Sequence, residues 1–477
     1  MPNLSYSVGV PAPASALFDW HERPGAFRRL SPPWQSVTLE RSDGIHNGDR
    51  AVIRLGVGPA SILWVAEHRA YSDACRRGVG ACQFQDIQVR GPFGSWSHLH
   101  RMEPEGPDAS RLHDEITYTL PFAPVSSVVG GWVAEGQLDR MFAYRHRVTS
   151  EDLRRHQAAG LEPMTVAISG SSGMIGEALA AFLTTGGHRV VRLVRSRRAV
   201  GEWTRGPQER AVYWNVEAGV VDTDALAREA PDAVVHLAGE PVYALRYTTE
   251  KKRAIWESRT KGTQLLSRAL AALPVPPRVL VSASASGIYG DRGAEAVDES
   301  SALGDGFLAD VCKAWEASTA EAEAAGIRTV HARIGLVLSP AGGLLGKLAP
   351  AARLGLGGWP GDGSSYWAWI GLDDTVYALH HLLNSELSGP VDLSAPTPRT
   401  ARDVVTRLGD VLGRPTLGRA PARLLRAVGG EAADEIVLKS TRMLPRRLLA
   451  DGFAFSYPDL DDALGHVLGT TPLPASP

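Results

Sequence analysis

The sequence predicts an α/β fold, in which a doubly wound parallel sheet follows an α+β unit and precedes a small helical segment. Three observations favour it. Short runs that alternate apolar and polar residues fill the chain before residue 150 and indicate antiparallel strands. Continuous β-branched runs then alternate with helix-like segments, which is typical of a parallel sheet covered on both faces. A glycine-rich turn connects the first of these buried runs to an Ala-rich helix.

The first domain is predicted to span residues 1–155. Within it, the run 111–120 places Leu112, Ile116 and Tyr118 on one dry face. An amphipathic stretch ends the domain. We therefore expect a curved antiparallel sheet with a long helix across it.

The remaining chain is predicted to form a domain at 164–400 and a C-terminal helical domain at 401–470. The strands of the larger domain are expected in the runs TVAISG, HRVVRLVR, AVYWNV, DAVVHLAG, RVLVSASAS and RTVHARIGLVL. After about residue 400 the pattern becomes helical again.

The composition excludes several classes of protein. The 50 Lys and Arg against 52 Asp and Glu leave no basic excess for nucleic-acid phosphates, so we expect no nucleic-acid partner. No apolar run approaches the ~20 residues of a membrane span, and the N-terminus lacks the basic start of a signal peptide. We expect a cytoplasmic protein with no membrane span.

The cysteines and histidines give weaker signals. Cys75, Cys82 and Cys312 are odd in number and lack Cys-x-x-Cys spacing, which predicts neither a disulfide framework nor a zinc site. His98 and His100 would share one face of a strand, joined by residue 113, also a histidine. Because no carboxylate or cysteine has matching spacing, we expect polar lining of a cavity there and no metal.

The strongest local signal is the stretch ISGSSGMIGEALAAFL, in which a buried strand runs into Gly170, Gly173 and Gly176. Gly170 permits a tight turn, Gly173 lets a pyrophosphate approach the backbone, and Gly176 lets the helix lie close to the sheet. The free N–H groups of the helix N-terminus would face the phosphates. A dinucleotide site is therefore predicted here.

The end of the second strand indicates which dinucleotide binds. Arg195, Arg197 and Arg198 cluster there without an acidic residue that would accept from a ribose hydroxyl. Guanidinium groups pair with a 2′-phosphate, so NADP(H) is the predicted cofactor, with a solvated basic strand end as the alternative. The complete predicted cofactor set is Gly170, Ser171, Ser172, Gly173, Met174, Ile175, Gly176, Arg195, Ser196, Arg197, Asn215, Leu237, Ala238, Gly239 and Glu240. Asn215 could reach the adenine or form a turn.

Several segments resemble a known family. The motifs GSSGMIG, VVHLAGEPV, SASASGIYGDRG and DGFLADVCKAWEAS are similar to those of the extended and atypical short-chain dehydrogenase/reductases, and more narrowly of the NAD-dependent epimerase/dehydratase-like subgroup. The resemblance implies a Rossmann-type sheet. The stretch 438–464 resembles the small helical domain that closes this subgroup. WHERPGAFRRLSPPW and FQDIQVRGPFGSWSHLH resemble helix-grip domains related to START and polyketide-cyclase proteins.

The resemblance implies a tyrosine that transfers a proton and a lysine four residues later that lowers the pKa of the phenol. Leu308 and Cys312 occupy those two positions, and Lys313 is displaced by about 100° around the helix. Ser284 and Tyr289 are the predicted catalytic substitutes, although such a tyrosine more often packs or caps. Cys312 could be a nucleophile or a small core residue.

Two functional hypotheses remain open at this stage. The first is an NADP(H)-dependent oxidoreductase or epimerase-like enzyme acting on a small-molecule substrate. The second is a non-catalytic NADP(H)-responsive sensor, which the missing tyrosine and lysine favour. Glu240 and Arg259 could bind substrate or cofactor, or form a structural ion pair. The N-terminal domain is expected to hold an apolar ligand, and the sequence predicts no oligomeric state.

Overall fold

The computed structural model describes residues 2–56, 58–121, 125–160, 162–204 and 206–472. The chain divides into two compact units. The first comprises Met1–Leu161, Thr185–Gly187 and Gly469–Pro477, and the second comprises Glu162–Thr184 and His188–Leu468. The finer boundaries predicted at 155, 164 and 400 remain predictions.

The first unit is an antiparallel sheet with helices on one face. Its described strands are β1 (Asn3–Val10), β2 (Val37–Ser42), β3 (Arg50–Leu55), β4 (Ile62–Ser72), β5 (Cys82–Arg90), β6 (Ser95–Pro104) and β7 (Ser110–Thr119). Its helices are α1 (Ala14–Glu22), α2 (Ala26–Leu30) and α3 (Val125–Ala159). The strand order is β1-β7-β6-β5-β4-β3-β2, and every pairing is antiparallel. This confirms the predicted sheet and long helix.

Alternating polarity explains which face of this sheet is buried. Leu112, Ile116 and Tyr118 are at most 2% exposed, whereas the residues between them are partly or fully exposed, with Asp114 as the exception. Phe142 of α3 is also buried and stacks on Tyr6 of β1, with ring centroids 4.6 Å apart. The apolar face of the sheet is therefore closed by the helix.

The cysteine prediction was wrong. Cys75 and Cys82 form a disulfide, with Cα atoms 5.0 Å apart. A short 3-10 turn at Ala74–Arg77 reverses the chain between β4 and β5 and brings the two residues together. The turn follows from local backbone geometry that cysteine spacing does not encode. A disulfide is typical of oxidising compartments, so the cysteines do not support the cytoplasmic location that the sequence predicted.

The second unit is built on a parallel sheet. Its described strands are β8 (Thr165–Ser169), β9 (Arg189–Val194), β10 (Glu209–Asn215), β11 (Val220–Val221), β12 (Ala233–His236), β13 (Val279–Ala285), β14 (Ala296–Val297), β15 (Arg328–Ile334), β16 (Leu336–Leu338), β17 (Gly357–Pro360), β18 (Tyr366–Trp367), β19 (Trp369–Gly371), β20 (Gly389–Leu393), β21 (Arg399–Thr400), β22 (Thr416–Ala420) and β23 (Arg442–Met443). The main sheet has the order β11-β10-β9-β8-β12-β13-β15-β20, parallel except for β11.

Helices cover this sheet and extend beyond it. They are α4 (Met174–Thr185), α5 (Arg197–Trp203), α6 (Thr223–Glu229), α7 (Thr249–Ala271), α8 (Phe307–Ala317), α9 (Ala320–Ala324), α10 (Gly343–Arg353), α11 (Leu372–Asn384), α12 (Ala401–Val411), α13 (Ala422–Gly429), α14 (Glu431–Ala433), α15 (Arg446–Ala450) and α16 (Leu460–Leu468). The continuous apolar strands β8 and β12 are almost wholly buried, as the predicted doubly wound sheet requires. Within the described chain, no helix is long and apolar enough to cross a membrane.

The strand order creates a switch point at the carboxyl edge of the main sheet. The space beside the ends of β8 and β12 is called the crevice below. β8 lies between β9 and β12, so the chain leaves β8 in one direction and later returns on its other side. Ser169 at the end of β8 is opposite His236 at the end of β12. The carboxyl ends of strands at such a switch point are where open α/β sheets bind ligands.

Candidate functional site

The turn after β8 requires glycine at two positions. Gly170 has φ +67°, and a Cβ there would lie 2.8 Å from the Ala238 nitrogen. At Gly176 a Cβ would lie 2.4 Å from the Gly170 carbonyl oxygen. Gly173 is exposed, and α4 begins at the next residue. The turn thus leaves open backbone at the positive end of a helix.

A buried arginine that was not among the predicted site residues supports this turn. Arg192 of β9 donates to the Ser171 carbonyl at 2.8 Å and to the Glu209 carboxylate at 2.9 Å. Its guanidinium also lies 4.3 Å from the centre of the Trp203 ring. An arginine inside the apolar run VVRLV was the available signal, because a charge is rarely buried unless it is paired.

A hydroxyl and a histidine connect the two strand ends of the crevice. Ser169 Oγ accepts from the N–H groups of Leu237 and Ala238, so its own proton is free to donate to His236 Nδ1 at 2.6 Å. His236 Nε2 then carries the hydrogen toward Thr263 Oγ1 at 2.9 Å. Burial, with Arg259 nearby, lowers the pKa of His236 to about 4. The imidazole is therefore neutral near pH 7.

The arginines at the end of β9 face solvent. Arg195, Ser196 and Arg197 are exposed. The Arg197 guanidinium lies 4.5 Å from the centre of the Tyr213 ring, whereas Arg198 pairs with Glu202 at 2.8 Å. Two of the three cations thus remain available to an anionic ligand.

Two other predicted cofactor residues, Asn215 and Glu240, make hydrogen bonds or ion pairs within the protein. Asn215 Oδ1 accepts from the Ala218 N–H at 2.9 Å, which is the turn-forming alternative. The Glu240 carboxylate pairs with Lys251, while Arg259 donates to the Glu240 carbonyl at 2.9 Å. The hypothesised ion pair of Glu240 with Arg259 is therefore replaced by these two contacts. An adenine contact by Asn215 remains a prediction.

Both predicted catalytic residues belong to one buried hydrogen-bond network. Ser284 Oγ, at the end of β13, donates to Glu316 at 2.7 Å. Arg333 binds both oxygens of Glu316, at 2.8 and 2.9 Å, and also donates to Tyr289 Oη at 2.9 Å. The Tyr289 hydroxyl in turn donates to Asp392 at 2.8 Å. The three charged members of this network, Glu316, Arg333 and Asp392, could not be predicted together because they lie on separate elements.

Arg333 and Asp392 hold the Tyr289 hydroxyl inside the protein. Its side chain is 0% exposed, and burial together with Asp392 raises the pKa of the phenol. Burial also raises the pKa of Asp392 well above its usual range, with Glu299 adding to the effect. The catalytic roles of Ser284 and Tyr289 remain predictions, and the burial of Tyr289 counts against its role.

Helix α8 contains the two positions where the resemblance implies tyrosine and lysine. Cys312 is 4% exposed, and burial raises the pKa of its thiol to about 11, so the sulfur is neutral near pH 7. Lys313 lies outward and pairs with Asp310 at 3.2 Å. Glu435 accepts from the N–H groups at the start of α8, at residues 307 and 308. The displaced lysine therefore does not replace the missing one.

The histidines of the first unit are only partly as predicted. His98 and His100 are buried on the inner face of β6, whereas His113 lies 3.4 Å from Glu103 and does not join them. Asp86 and Asp114 from the neighbouring strands contact both buried histidines. These two carboxylates are far from the histidines in sequence, but strand pairing places them beside the imidazole rings.

Comparisons with known proteins agree with this architecture. A family model described as the NAD dependent epimerase/dehydratase family matches residues 166–392, and a model of unknown function, DUF1731, matches residues 420–467. A model described as polyketide cyclase / dehydrase and lipid transport matches residues 10–142. An epimerase family protein of Mycobacterium bovis is 41% identical over 302 residues, which cover 63% of this chain and 96% of that protein. The chain belongs to the epimerase family.

Two solved structures of the epimerase family are also similar to this chain. The nucleoside-diphosphate sugar epimerase from Corynebacterium glutamicum is 31% identical with a TM-score of 0.79, over 99% of this chain and 91% of that one. The human epimerase family protein SDR39U1 with NADPH is 30% identical with a TM-score of 0.56, over 64% of this chain and 99% of that one. The resemblance inferred from the motifs is confirmed.

Proposed function

We propose that this epimerase-family protein binds NADP(H) in the crevice after β8 and uses it in an oxidoreductase or epimerase-type reaction on a small molecule. The observation that carries the proposal is the pair of exposed guanidinium groups, Arg195 and Arg197, at the end of β9 beside the glycine turn. They suit the 2′-phosphate, and the free N–H groups at the start of α4 suit the pyrophosphate. The NADPH named with the human relative supports the same cofactor.

The remaining predicted cofactor residues fit this proposal in different ways. Ser171, Ser172, Met174 and Ile175 belong to the turn and the first turn of α4. Leu237, Ala238 and Gly239 follow β12, at the opposite side of the crevice. A nicotinamide cofactor, when bound, supplies hydride transfer.

Ser284 is the better of the two proposed catalytic side chains. Its hydroxyl donates to Glu316, and a serine oxygen that donates in this way keeps lone pairs that can accept from a substrate hydroxyl. Glu316 is fixed by Arg333, so Ser284 is held in one orientation. Its proposed role is to orient substrate. If Oγ takes a proton from substrate, its own hydroxyl proton would pass to Glu316, and water is the alternative proton acceptor. Tyr289 would then support the network.

The sensor hypothesis is the second candidate. It is favoured by one observation: the helix positions of the usual tyrosine and lysine hold an apolar Leu308 and a neutral, buried Cys312. A protein with these residues can bind a cofactor without a phenol poised to transfer a proton.

Titration of the full chain with NADPH, followed by incubation with a panel of carbonyl compounds and sugar nucleotides, separates these functions. The proposal expects saturable binding and oxidation of NADPH, or epimerisation seen by NMR, with at least one substrate. Binding without turnover across the panel supports the sensor. Failure to bind NADPH overturns both. The Ser284→Ala variant should lose turnover while it retains NADPH binding.

The polyketide-cyclase match supports small-molecule binding by the first unit. The apolar ligand predicted from the sequence would have to displace or lie against the apolar core of this face, which includes Trp96 and Tyr118. The adjoining His98 and Asp114 are buried ionisable groups paired at 2.9 Å, and an apolar ligand offers them no hydrogen bond. A polar occupant suits that part of the face better.

A further inference from the structure

The inner face of the antiparallel sheet carries a compact group of histidines and aspartates. The register places His98 opposite Asp86 on β5 and His100 opposite Asp114 on β7. His98, His100 and Asp114 are 2%, 7% and 2% exposed. Helix α3 adds His146, whose Nε2 lies 2.7 Å from Asp114 Oδ2. So many ionisable groups in one buried site need either mutual pairing or a bound ion.

Three of their atoms have the spacing of metal ligands. Asp86 Oδ1 lies 3.3 Å from His98 Nδ1 and 3.5 Å from His100 Nε2. Ligand atoms bound to tetrahedral zinc at about 2.0 to 2.1 Å are separated by about 3.3 to 3.4 Å. The three atoms all lie within 4.8 Å of one another. Only a small adjustment would therefore place one ion at bonding distance from each.

The outer contacts match those that usually orient metal ligands. His98 Nε2, the ring nitrogen not facing Asp86 Oδ1, lies 2.9 Å from Asp114 Oδ1. Asp86 Oδ2 accepts from the Trp96 indole N–H at 3.0 Å, which directs Oδ1 toward the histidines. Carboxylate partners of this kind fix the tautomer and raise the basicity of a ligating imidazole.

Two buried ring nitrogens provide an independent indication. Within the described residues, His100 Nδ1 and His68 Nδ1 make no hydrogen bond, although each residue is only 7% exposed. His100 Nδ1 lies 2.8 Å from Asp114 Oδ1 but outside hydrogen-bond geometry. His68 is opposite Asp86 in the register. His100 Nδ1 is thus paired with Asp114 by charge alone, and a network complete in itself would be expected to satisfy His68 Nδ1 as well.

We infer that Asp86, His98 and His100 bind a divalent transition-metal ion, with zinc as the best match, and leave a fourth position open. Two imidazoles and one carboxylate are a ligand set that zinc accepts readily, and three protein ligands are typical of sites that also bind water or a small molecule. Asp114 is a positioning residue. The site would give the first unit a polar anchor for its ligand.

The test uses the full-length protein after treatment with a chelator. Titration with Zn²⁺ by calorimetry should show one ion per chain, and Co²⁺ should give the intense visible bands of a low-symmetry four-coordinate site. His100→Ala should weaken Zn²⁺ binding at least about tenfold, since one of three ligands is lost. His113→Ala is the matched control, because this histidine lies on β7 beside Glu103 and should not affect binding.

Asp114→Asn separates positioning from ligation. It should retain the one-to-one stoichiometry while it weakens Zn²⁺ binding by about 10- to 100-fold. Absence of both Zn²⁺ binding and the Co²⁺ bands in the unaltered protein would show a metal-free ion-pair network and overturn the proposal. Equal binding by the His100→Ala and His113→Ala variants would do the same. The Zn²⁺ titration and the Co²⁺ spectrum both use the unaltered protein, so a variant that fails to fold does not affect them.

Discussion

Two buried histidines, one in each unit, have opposite electrostatic environments. His236 in the parallel-sheet crevice contacts the hydroxyls of Ser169 and Thr263, and its pKa falls to about 4 through burial and the nearby Arg259. His98 on the antiparallel sheet is equally buried, yet Asp86 and Asp114 outweigh that burial and raise its pKa to about 9. A metal ion at His98 would therefore have to displace a proton, because a ligating imidazole is neutral. Burial alone favours the neutral ring, and adjacent carboxylates reverse the outcome.

The same contrast extends to how each region is built. The crevice is formed by backbone, glycines and hydroxyls, and the buried Arg192 that supports its glycine turn is paired with Glu209. The inner face of the first unit instead gathers carboxylates and imidazoles from four strands and a helix. The first arrangement suits a ligand that brings its own phosphates, and the second suits one that brings positive charge.

The largest expected effect tests the buried Arg192–Glu209 pair, whose arginine also supports the glycine turn. Arg192→Met leaves the Glu209 carboxylate buried without its partner, so the free energy of unfolding should fall by about 3 to 5 kcal/mol. Urea denaturation measures the change. Arg198→Met is the control, because its pair with Glu202 is exposed and its loss should cost less than about 1 kcal/mol. Equal effects of the two variants would refute the role assigned to Arg192.

The next effect sharpens the contrast between the histidines. Because the folded-state pKa of His236 is below its unfolded value, the unfolded chain binds more protons as the pH falls through the window from about 6.5 to about 4. Stability is therefore complete above that window and decreases on acidification. This group should contribute a loss of about 2 kcal/mol between pH 7 and pH 5. Denaturation at both pH values should show a smaller loss in His236→Gln, and an unchanged loss would contradict the assignment.

A smaller effect belongs to the first unit alone. The Cys75–Cys82 disulfide closes a short loop beside β5, the strand that carries Asp86. Reduction should lower the free energy of unfolding by about 2 kcal/mol, because the unfolded chain regains the entropy of that loop. Thermal unfolding with and without reductant measures this, and the Cys75→Ser/Cys82→Ser variant should be insensitive. Three titratable thiols in the denatured, unreduced protein would show that the disulfide does not form.

Local patterns predicted much of the fold. The glycine turn could be predicted because Gly170 and Gly176 act within a few residues of each other, on a backbone path that a side chain would block. The alternating run 111–120 likewise predicted a strand of the antiparallel sheet. These features depend on residues that are neighbours in the chain.

Other features depend on contacts that the sequence pattern does not contain. Asp86 and Asp114 meet His98 and His100 only through strand register, which one residue of slip would change. Tyr289 is predicted as a catalytic phenol because it is close in sequence to Ser284. In the structure, Arg333 of β15 and Asp392 of β20 bind its hydroxyl. Long-range pairing, rather than residue type, determined these environments.

The most direct test of the proposed cofactor is calorimetric titration of Arg195→Ala/Arg197→Ala with NADP⁺ and NAD⁺, with Arg198→Ala as the control. Because charge-assisted hydrogen bonds to the 2′-phosphate would be lost, NADP⁺ binding should weaken by about 10- to 100-fold. NAD⁺ binding by the double variant and NADP⁺ binding by Arg198→Ala should stay within about twofold of the unaltered protein. Unchanged NADP⁺ affinity in the double variant, or an equal loss for both nucleotides, would contradict recognition of the phosphate by these two guanidinium groups.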